Sequence, residues 1–376
     1  MMEFTAKRSD LQKELGLVQS VVERKHTIPI LANVLIESDD QGVKISGTDL
    51  DVSLRTVVPA EVLSGGGVTV EARKLYDIVR TLGEEDVRFR VEDNRLVISC
   101  GRSRFRLATL PVENFPQLPQ LAVTGGLQLS AKAAVEMVER TVFATTQEES
   151  RYALSGVQVE IAPAEGGAGR VRMVATDGHR LALSEMTIAH GTVLPSTTLI
   201  PRKTMVELTR LISGVVDETE LVLVRDENHV YFKLGSRELI SRILTGQFPN
   251  YEMVIPKEHE RQAVVSGEAF SAALRRVALV ADERSRGVRL AFSEGRVELT
   301  ARRLDEDEEA REDVLCHFTG EPLEIAFNST YLMDFFQVAG TGDVRIALKD
   351  GQSPALLSPE QGEGVYKYVV MPMRLI

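Results

Sequence analysis

The sequence of 376 residues contains no tryptophan, only two cysteines and just 5% aromatic residues. Cys100 and Cys316 lie far apart and match neither a metal-binding nor a redox spacing, so we expect reduced thiols in a cytoplasmic protein. The N-terminus lacks the apolar segment of a signal peptide, and the apolar runs are too short and too interrupted to span a bilayer. These absences predict a soluble protein that is neither exported nor held in a membrane.

Sequence motifs for phosphate binding and catalysis are missing as well. No Gly-x-x-x-x-Gly-Lys-Ser/Thr loop occurs, and no phosphate-facing helix follows the glycine-rich segments at 64–67 and 166–169. The six histidines are scattered without metal-ligand spacing. Asp177 and His179 could form an acid–base pair, but the related segment Thr48-Asp49 has no histidine, which favours a turn-forming role for the aspartate. We therefore expect no catalytic residue, no metal and no cofactor.

Basic residues are in deficit, with 44 Lys and Arg against 55 Asp and Glu, and the formal net charge is −11. Such a balance argues at first against nucleic acid, because most DNA-binding proteins carry a basic excess. Binding depends on where the charges lie, however. Basic residues recur on the predicted helices, whereas acidic residues concentrate in presumed loops and outer strands, above all at 305–309. An acidic exterior around a basic interior would give the same total.

The chain repeats one unit three times. Related residues open predicted helices at 72–79, 201–208 and 328–335, with 129 positions from Lys74 to Lys203 and 127 from Lys203 to Thr330. Thr48-Asp49 returns as Thr176-Asp177 after 128 residues. Because these coincidences stay in phase over the whole length, the sequence predicts three domains, at 1–122, 123–256 and 257–376.

Each unit has the pattern of two helices and several strands. The first helices are predicted at Asp10–Val22, Ala131–Thr145 and Gly267–Val280, with Ser9 as the N-cap of the first. Each carries one apolar stripe at helical period, which indicates one face packed on a sheet and one face in solvent. The predicted fold class is α+β: three repeated domains, each with two helices packed on antiparallel sheet.

Several of these segments resemble the bacterial DNA sliding-clamp family, the beta subunit of the replicative DNA polymerase III holoenzyme. The segments are Thr27–Leu31, Gly47–Leu50, Ala175–Ala182, Ile200–Lys203, Gln247–Tyr251, Arg286–Leu290 and Tyr368–Leu375. The resemblance runs from end to end, with two departures: the tail ends in an extra Ile376, and Met253 stands where many family members carry a basic residue. It implies that the three domains form a crescent. Two such crescents would close head to tail into a six-domain ring around duplex DNA. Such a ring tethers the replicative polymerase for processive synthesis and has no catalysis of its own.

The resemblance also implies three sets of contact residues. In the homodimer, the edge strand Arg104–Leu107 should pair with an edge strand of the third domain of the other copy, whose Leu279 and Val280 should pack against Phe105 and Leu107. Sequence-independent DNA contacts are expected from Arg24, Lys25, Arg73, Lys74, Arg151, Tyr152, Arg202 and Lys203. A pocket for partner peptides should be lined by Leu154, Thr176, Gly178, His179, Arg180, Leu181, Pro249, Val254, Val369, Met371, Pro372, Met373 and Arg374.

The expected ligand of that pocket is a short extended segment with aliphatic and aromatic anchors. It would be carried by the catalytic subunit of the replicative polymerase, by the clamp loader and by other polymerases and repair proteins. The apolar tail around Met371 and Met373 suits a groove that accepts different side chains, and Arg180 and Arg374 would donate to peptide carbonyls. Two alternatives stay open: a DNA-modifying or nucleotide-dependent enzyme, and a repeat-built scaffold that never touches DNA.

Overall fold

The computed structural model describes residues 2–23, 27–120, 126–164, 168–188, 195–215, 219–303, 307–362 and 364–374. Within these ranges the α-helices are α1 (Arg8–Val21), α2 (Ala72–Thr81), α3 (Ala131–Glu139), α4 (Arg202–Ile212), α5 (Gly267–Val277) and α6 (Ser329–Ala339). The strands are β1 (Glu3–Lys7), β2 (Asn33–Asp39), β3 (Gly42–Thr48), β4 (Val52–Val58), β5 (Ala60–Ser64), β6 (Gly66–Glu71), β7 (Asp86–Glu92), β8 (Arg95–Cys100), β9 (Ser103–Ala108), β10 (Leu127–Ser130), β11 (Gly156–Pro163), β12 (Gly169–Thr176), β13 (Arg180–Ile188), β14 (Ser196–Pro201), β15 (Glu220–Arg225), β16 (His229–Leu234), β17 (Arg237–Arg242), β18 (Arg261–Ser266), β19 (Gly287–Ser293), β20 (Arg296–Arg303), β21 (Glu308–Thr319), β22 (Leu323–Asn328), β23 (Asp343–Leu348), β24 (Ala355–Pro359) and β25 (Val365–Val370). None of the described helices is long and apolar enough to cross a membrane.

The same order of elements occurs three times along the described chain. Each repeat has one strand, a first helix, four strands, a second helix and three strands, and the first repeat adds β5. This order confirms the predicted triplication and the α+β class. The chain forms two compact units, Met1–Val135 with Lys203–Ile243 (unit 1) and Glu136–Arg202 with Leu244–Ile376 (unit 2).

Unit 1 contains two antiparallel sheets. The first has the order β5-β1-β7-β8-β9, and the second has the order β10-β15-β16-β17-β4-β3-β2-β6. The second sheet joins two repeats, because β17 pairs with β4 and sets Leu239 opposite Leu54. α1 packs on this sheet through Leu11, Leu15 and Val18, which are fully buried. A Cβ at Gly47 of β3 would lie only 2.7 Å from Val18 Cγ1, so the close approach of helix and sheet requires glycine there.

A buried ion pair also joins the two repeats inside unit 1. Arg237 of β17 donates from Nε and Nη2 to the Glu14 carboxylate of α1, at 3.0 and 2.5 Å. Thr56 of β4 donates to the same carboxylate, and Arg237 Nη1 donates to the carbonyl oxygen of Leu211. Both charges are thus paired and hydrogen-bonded, as buried charges must be if the fold is to tolerate them.

Unit 2 is built on one described sheet of twelve strands, with the order β14-β11-β12-β13-β25-β24-β23-β18-β21-β20-β19-β22. Here β25, the last strand of the third repeat, pairs with β13 of the second and sets Val369 opposite Leu181. This pairing corresponds to that of β17 with β4 in unit 1.

Three details of the predicted first helices are wrong. α1 begins at Arg8, and its N-cap is Lys7, which makes no side-chain cap bond, so Ser9 is not the cap. α3 ends at Glu139, and a separate 3-10 turn follows at Val142–Ala144, because the Thr141 hydroxyl bonds back to the Met137 carbonyl oxygen at 2.8 Å. α5 ends at Val277, and the predicted continuation to Val280 is a 3-10 turn.

Candidate functional site

The segment Thr176–Arg180 forms a tight turn between β12 and β13. The Thr176 hydroxyl accepts from the Gly178 amide and donates to the Arg180 carbonyl oxygen, and Asp177 Oδ1 accepts from the amides of His179 and Arg180. Gly178 has φ +90°, which favours glycine. In the first repeat, Asp49 accepts from two following amides in the same way. The turn-forming role predicted for Asp177 is therefore correct, and its carboxylate is not poised as a catalytic base.

One face of β13 contributes to a buried apolar cluster. Leu181 and Leu183 point to this face, as expected for alternate residues of a strand. The cluster comprises Val174, Leu181, Leu183, Leu199, Phe248, Tyr251 and Val369, with Ala153, Leu154, Leu244, Ile255 and Leu356 packed against it. It therefore brings together three of the predicted pocket residues, Leu154, Leu181 and Val369. The sequence-based prediction missed Phe248 and Tyr251, although both belong to the motif Gln247–Tyr251.

Arg180 at the start of β13 is anchored within the protein. Its Nε donates to Asp177 at 3.0 Å, Nη1 to Asp334 at 2.5 Å and Nη2 to the Phe143 carbonyl oxygen at 2.8 Å. The guanidinium also lies over the rings of Tyr331 and Phe143, 4.5 and 5.3 Å from their centroids. Each of its nitrogen atoms already donates to a protein acceptor. Arg180 therefore holds the turn and α6 in place, while Nη1 and Nη2 each keep a second N–H, so the role as a donor to peptide carbonyls stays a prediction.

The electrostatic surroundings of Arg180 follow from these contacts. Burial alone would lower the pKa of its guanidinium, but Tyr368, Asp334 and Asp177 outweigh burial and raise the pKa above its ordinary value. Burial also raises the pKa of the neighbouring Tyr368 well above 10. Arg180 therefore stays charged and Tyr368 stays neutral at any physiological pH. His179 is exposed beside them, with its ring stacked on Tyr331 at 6.3 Å.

An exposed apolar groove lies next to the cluster. Val254 and Met371 line it and are 42% and 41% exposed, and the neighbouring Met253 is 83% exposed. The tail is fixed at two points after β25, since the Met371 amide donates to the His179 carbonyl oxygen and the Met373 amide to that of Ala326. Pro249 and Arg374 are exposed, whereas Pro372 and Met373 are half-buried.

Seven of the thirteen predicted pocket residues lie in three places of unit 2. Leu154, Leu181 and Val369 belong to the buried cluster, whereas Val254 and Met371 line the exposed groove. His179 and Arg180 line a polar recess of 620 Å³ together with Phe143, Tyr331 and Asp334, among others. Thr176 and Gly178 shape the turn that carries His179 and Arg180. Phe143 and Asp334 were not predicted, because they lie 37 and 154 positions from Arg180 along the chain.

The predicted DNA-contacting residues fall into two groups. Arg73 and Lys203 line one recess of unit 1 together with Arg210, and Lys203 pairs with Asp49. Lys74 lies on α2 and pairs with Glu71 at 2.8 Å. In unit 2, Arg151 and Arg202 line the polar recess, and Tyr152 is 54% exposed. Arg24 and Lys25 lie outside the described residues.

The predicted dimer residues lie at strand edges and exposed turns. β9 is an edge strand, in which Phe105 is half-buried and Leu107 is buried. Leu279 is 84% exposed and Val280 is half-buried in the turn after α5. Leu315 of β21, which the sequence-based prediction did not name, is 85% exposed. Across 2–374, with the undescribed residues left aside, no cluster of His, Cys, Asp and Glu could hold a metal ion.

Three models of the DNA polymerase III beta subunit match the chain: the N-terminal domain at residues 2–119, the central domain at 128–250 and the C-terminal domain at 252–374. The chain is 38% identical to the beta sliding clamp of Caulobacter vibrioides, over the full length of both proteins. The solved beta sliding clamp of C. crescentus has a TM-score of 0.92 at 38% identity, covering 100% of this chain and 99% of that one. The sliding clamp of Pseudomonas aeruginosa bound to griselimycin has a TM-score of 0.90 at 37% identity, covering both chains fully.

We expect the two neighbours Arg180 and His179 to differ sharply in their effect on stability. Arg180→Met leaves Asp177 and Asp334 without their shared cation, which should lower the free energy of unfolding by about 3–5 kcal/mol. His179→Ala removes an exposed side chain and should change it by about 0.5 kcal/mol or less. Urea titration followed by circular dichroism measures both. Equal stability of the two variants would show that the Arg180 contacts contribute nothing.

Proposed function

The chain belongs to the bacterial DNA polymerase III beta subunit family, the sliding clamps that confer processivity without catalysis, and on this premise we propose that two copies close into a ring around duplex DNA. The ring would act in the cytoplasm. It would tether the replicative polymerase, the clamp loader and other polymerases and repair proteins through short peptides. The observation that carries this proposal is the pattern of strand pairing between repeats.

The last strand of each repeat has an expected partner in another repeat. β17 ends the second repeat and pairs with β4 of the first, and β25 ends the third repeat and pairs with β13 of the second. β9 ends the first repeat, and within the described residues it pairs only with β8. The strand that corresponds to β4 and β13 in the third repeat is β21, since the three begin at residues 52, 180 and 308.

The first part of β21 is the matching open edge. Residues 308–315 pair with β20 on one side only, because β18 takes the other side from Cys316 onward. One copy therefore offers β9 and its partner offers β21, which is a heterologous contact. A heterologous contact closes into a ring when its rotation allows it, and the pairing then occurs twice in a dimer.

The internal pairings also give a register for this contact. Phe105 holds the position of Leu239 and Tyr368, which face Leu54 and Ala182. The same register sets Phe105 opposite Ala310 of the partner subunit and Arg106 opposite Glu309 of the partner subunit. Opposite charges across an antiparallel pair are favourable. The exposed Leu279 and Leu315 would supply apolar surface at this contact.

The dimer contact can be tested by changing exposed apolar residues. The double variant Leu279→Asp, Val280→Asp should be folded and monomeric, because it places charge in an apolar interface. Light scattering should then give the mass of one chain, 41.5 kDa, where the unchanged protein gives twice that value. The control is Leu63→Asp on β5, which places the same charge on a leucine that is 60% exposed, and this variant should stay dimeric. A dimer that survives the double change would refute this interface.

Basic side chains on the helices support contacts with DNA. Arg73 and Lys74 on α2 are exposed and paired only with neighbouring surface carboxylates, Asp77 and Glu71. Exposed pairs of this kind are worth about 0–1 kcal/mol, so a phosphate can replace the carboxylate at little cost. Phosphate contacts carry no sequence information, which suits a protein that moves along any template.

Retention on DNA should depend on topology. After loading by the clamp loader, the protein should stay on a nicked circular plasmid through gel filtration and be lost when the plasmid is linearised. Binding to a short linear duplex should be weak, and Arg73→Ala with Lys74→Ala should lower its dependence on salt, by roughly 0.9 in log–log slope per lost phosphate contact. Tight, sequence-selective binding to the linear duplex would contradict a sliding ring and favour a different class of DNA-binding protein.

The partner-peptide site is proposed where the buried cluster meets the exposed groove. Leu181 and Val369 form an apolar floor, and Val254 and Met371 leave apolar surface open to solvent beside it. Methionine is flexible and polarisable, so the surface can adapt to different anchors. Gly178 leaves space for a peptide backbone, since the nearest atom to an added Cβ is Arg151 Nη1 at 3.5 Å. His179, exposed beside Tyr331, would border the anchors.

Charge introduced into the groove should abolish peptide binding. Val254→Asp with Met371→Asp should weaken a clamp-binding peptide at least tenfold in calorimetry and abolish stimulation of the polymerase, while the dimer persists. Both residues are more than 40% exposed, so the fold should tolerate the change. Leu50→Asp is a matched control, because Leu50 is a 50% exposed residue on the corresponding turn of the first repeat. Unchanged binding in the double variant would place the site elsewhere.

A further inference from the structure

The exposed groove of unit 2 extends past the proposed peptide pocket. It has a volume of 340 Å³, and Met253 and Pro354 line it in addition to Val254 and Met371. Met253 is 83% exposed, although a thioether gains free energy when it is covered. Pro256 also lines the groove and adds a side chain with little conformational entropy to lose on binding. The extension is thus apolar surface that a bound chain could cover at small cost.

The extension is continuous with the pocket. Val254 and Met371 belong to both, and Ile255, between Val254 and Pro256, packs against the buried cluster. The backbone on the far side is also held, since the Lys349 carbonyl oxygen accepts from Arg261 Nη1 at 2.5 Å. A peptide whose anchors sit in the pocket therefore reaches this groove with its next few residues.

The border of the groove is basic, although the whole chain is acidic. Lys257 is exposed and Lys349 is half-exposed, and both line the groove with a single carboxylate, Glu258. The Lys349 ammonium lies 3.9 Å from Glu258, whose side chain is 84% exposed, so this pair is long and screened. The nearby Asp350 carboxylate already accepts from the amides of Gln352 and Ser353 and from the Ser353 hydroxyl. The border of the groove can therefore accommodate a further carboxylate, supplied by a bound peptide.

We propose that this groove reads the residues that flank the anchors of a partner peptide and selects peptides that carry a carboxylate there, through Lys257 and Lys349. The inference rests on the proposed peptide site. The apolar part of the groove covers the stem of the flanking residue, and the lysines, on long flexible stems, reach its carboxylate. A flanking aspartate or glutamate should strengthen binding roughly three- to tenfold at low salt, and the gain should shrink with added salt.

The test uses synthetic peptides on the full-length protein. Each ten-residue peptide has a leucine and a phenylalanine as anchors. It carries two serines, two aspartates or two asparagines on one flank, and each of the two flanks is varied in turn. Fluorescence anisotropy should show tighter binding for aspartate on one flank and no gain for asparagine. Lys257→Gln with Lys349→Gln should remove the gain and leave the serine peptide unchanged. Lys233→Gln, an exposed lysine on β16 in unit 1, should change nothing.

The outcomes separate this inference from the proposed function. Binding of every peptide with equal affinity, or a gain that survives the double lysine change, overturns the charge selection and leaves the peptide site standing. Binding of no peptide at all to a protein that is dimeric and retained on circular DNA overturns the peptide site itself.

Discussion

Antiparallel pairing between the last strand of one repeat and a strand of another is the constraint on which the rest of the structure depends. A buried strand must satisfy its amide and carbonyl groups, so each last strand requires a partner. β17 finds it in β4, and β25 finds it in β13. The second pairing brings Val369 to Leu181 and carries the tail to the turn at His179. The position of the candidate peptide site is thus a consequence of how the repeats are joined.

The same joint forms twice within the chain, but the side chains that correspond to Leu181 and Val369 differ in unit 1. Where unit 2 pairs Leu181 with Val369, unit 1 pairs Ser53 with Ile240. At the end of each joining strand, one backbone amide donates to the turn of the other repeat. It belongs to Met371 in unit 2 and to Arg242 in unit 1. The turn itself carries Gly178 in unit 2 and Leu50, with φ +83°, in unit 1. Backbone geometry is thus repeated while side chains diverge, so a peptide-binding surface is expected at one joint alone.

The sequence predicted what depends on local or periodic patterns. The three repeats, the two helices of each repeat and the turn formed by Asp177 follow from residues that lie close together or recur in phase. The end of α3 was misplaced because the Thr141 hydroxyl competes with the helix backbone, which an apolar stripe does not reveal. The anchoring of Arg180 was not predicted because its acceptors on Phe143 and Asp334 lie 37 and 154 positions away. Leu315 was not named because its exposure depends on which side of β21 stays open.

The charges on the two open strands bear on the protein before assembly. A newly made chain exposes β9 and part of β21 as unpaired edges, and such edges are templates for aggregation. β9 carries Arg104 and Arg106 on exposed positions and no acidic residue, whereas the open part of β21 carries four acidic residues, Glu308, Glu309, Glu312 and Asp313, against the single Arg311. Two β9 strands placed edge to edge would set arginine beside arginine, and two β21 strands would crowd carboxylates together. Self-stacking of like edges into fibrils is thereby disfavoured, and in the proposed dimer each edge meets one of opposite charge.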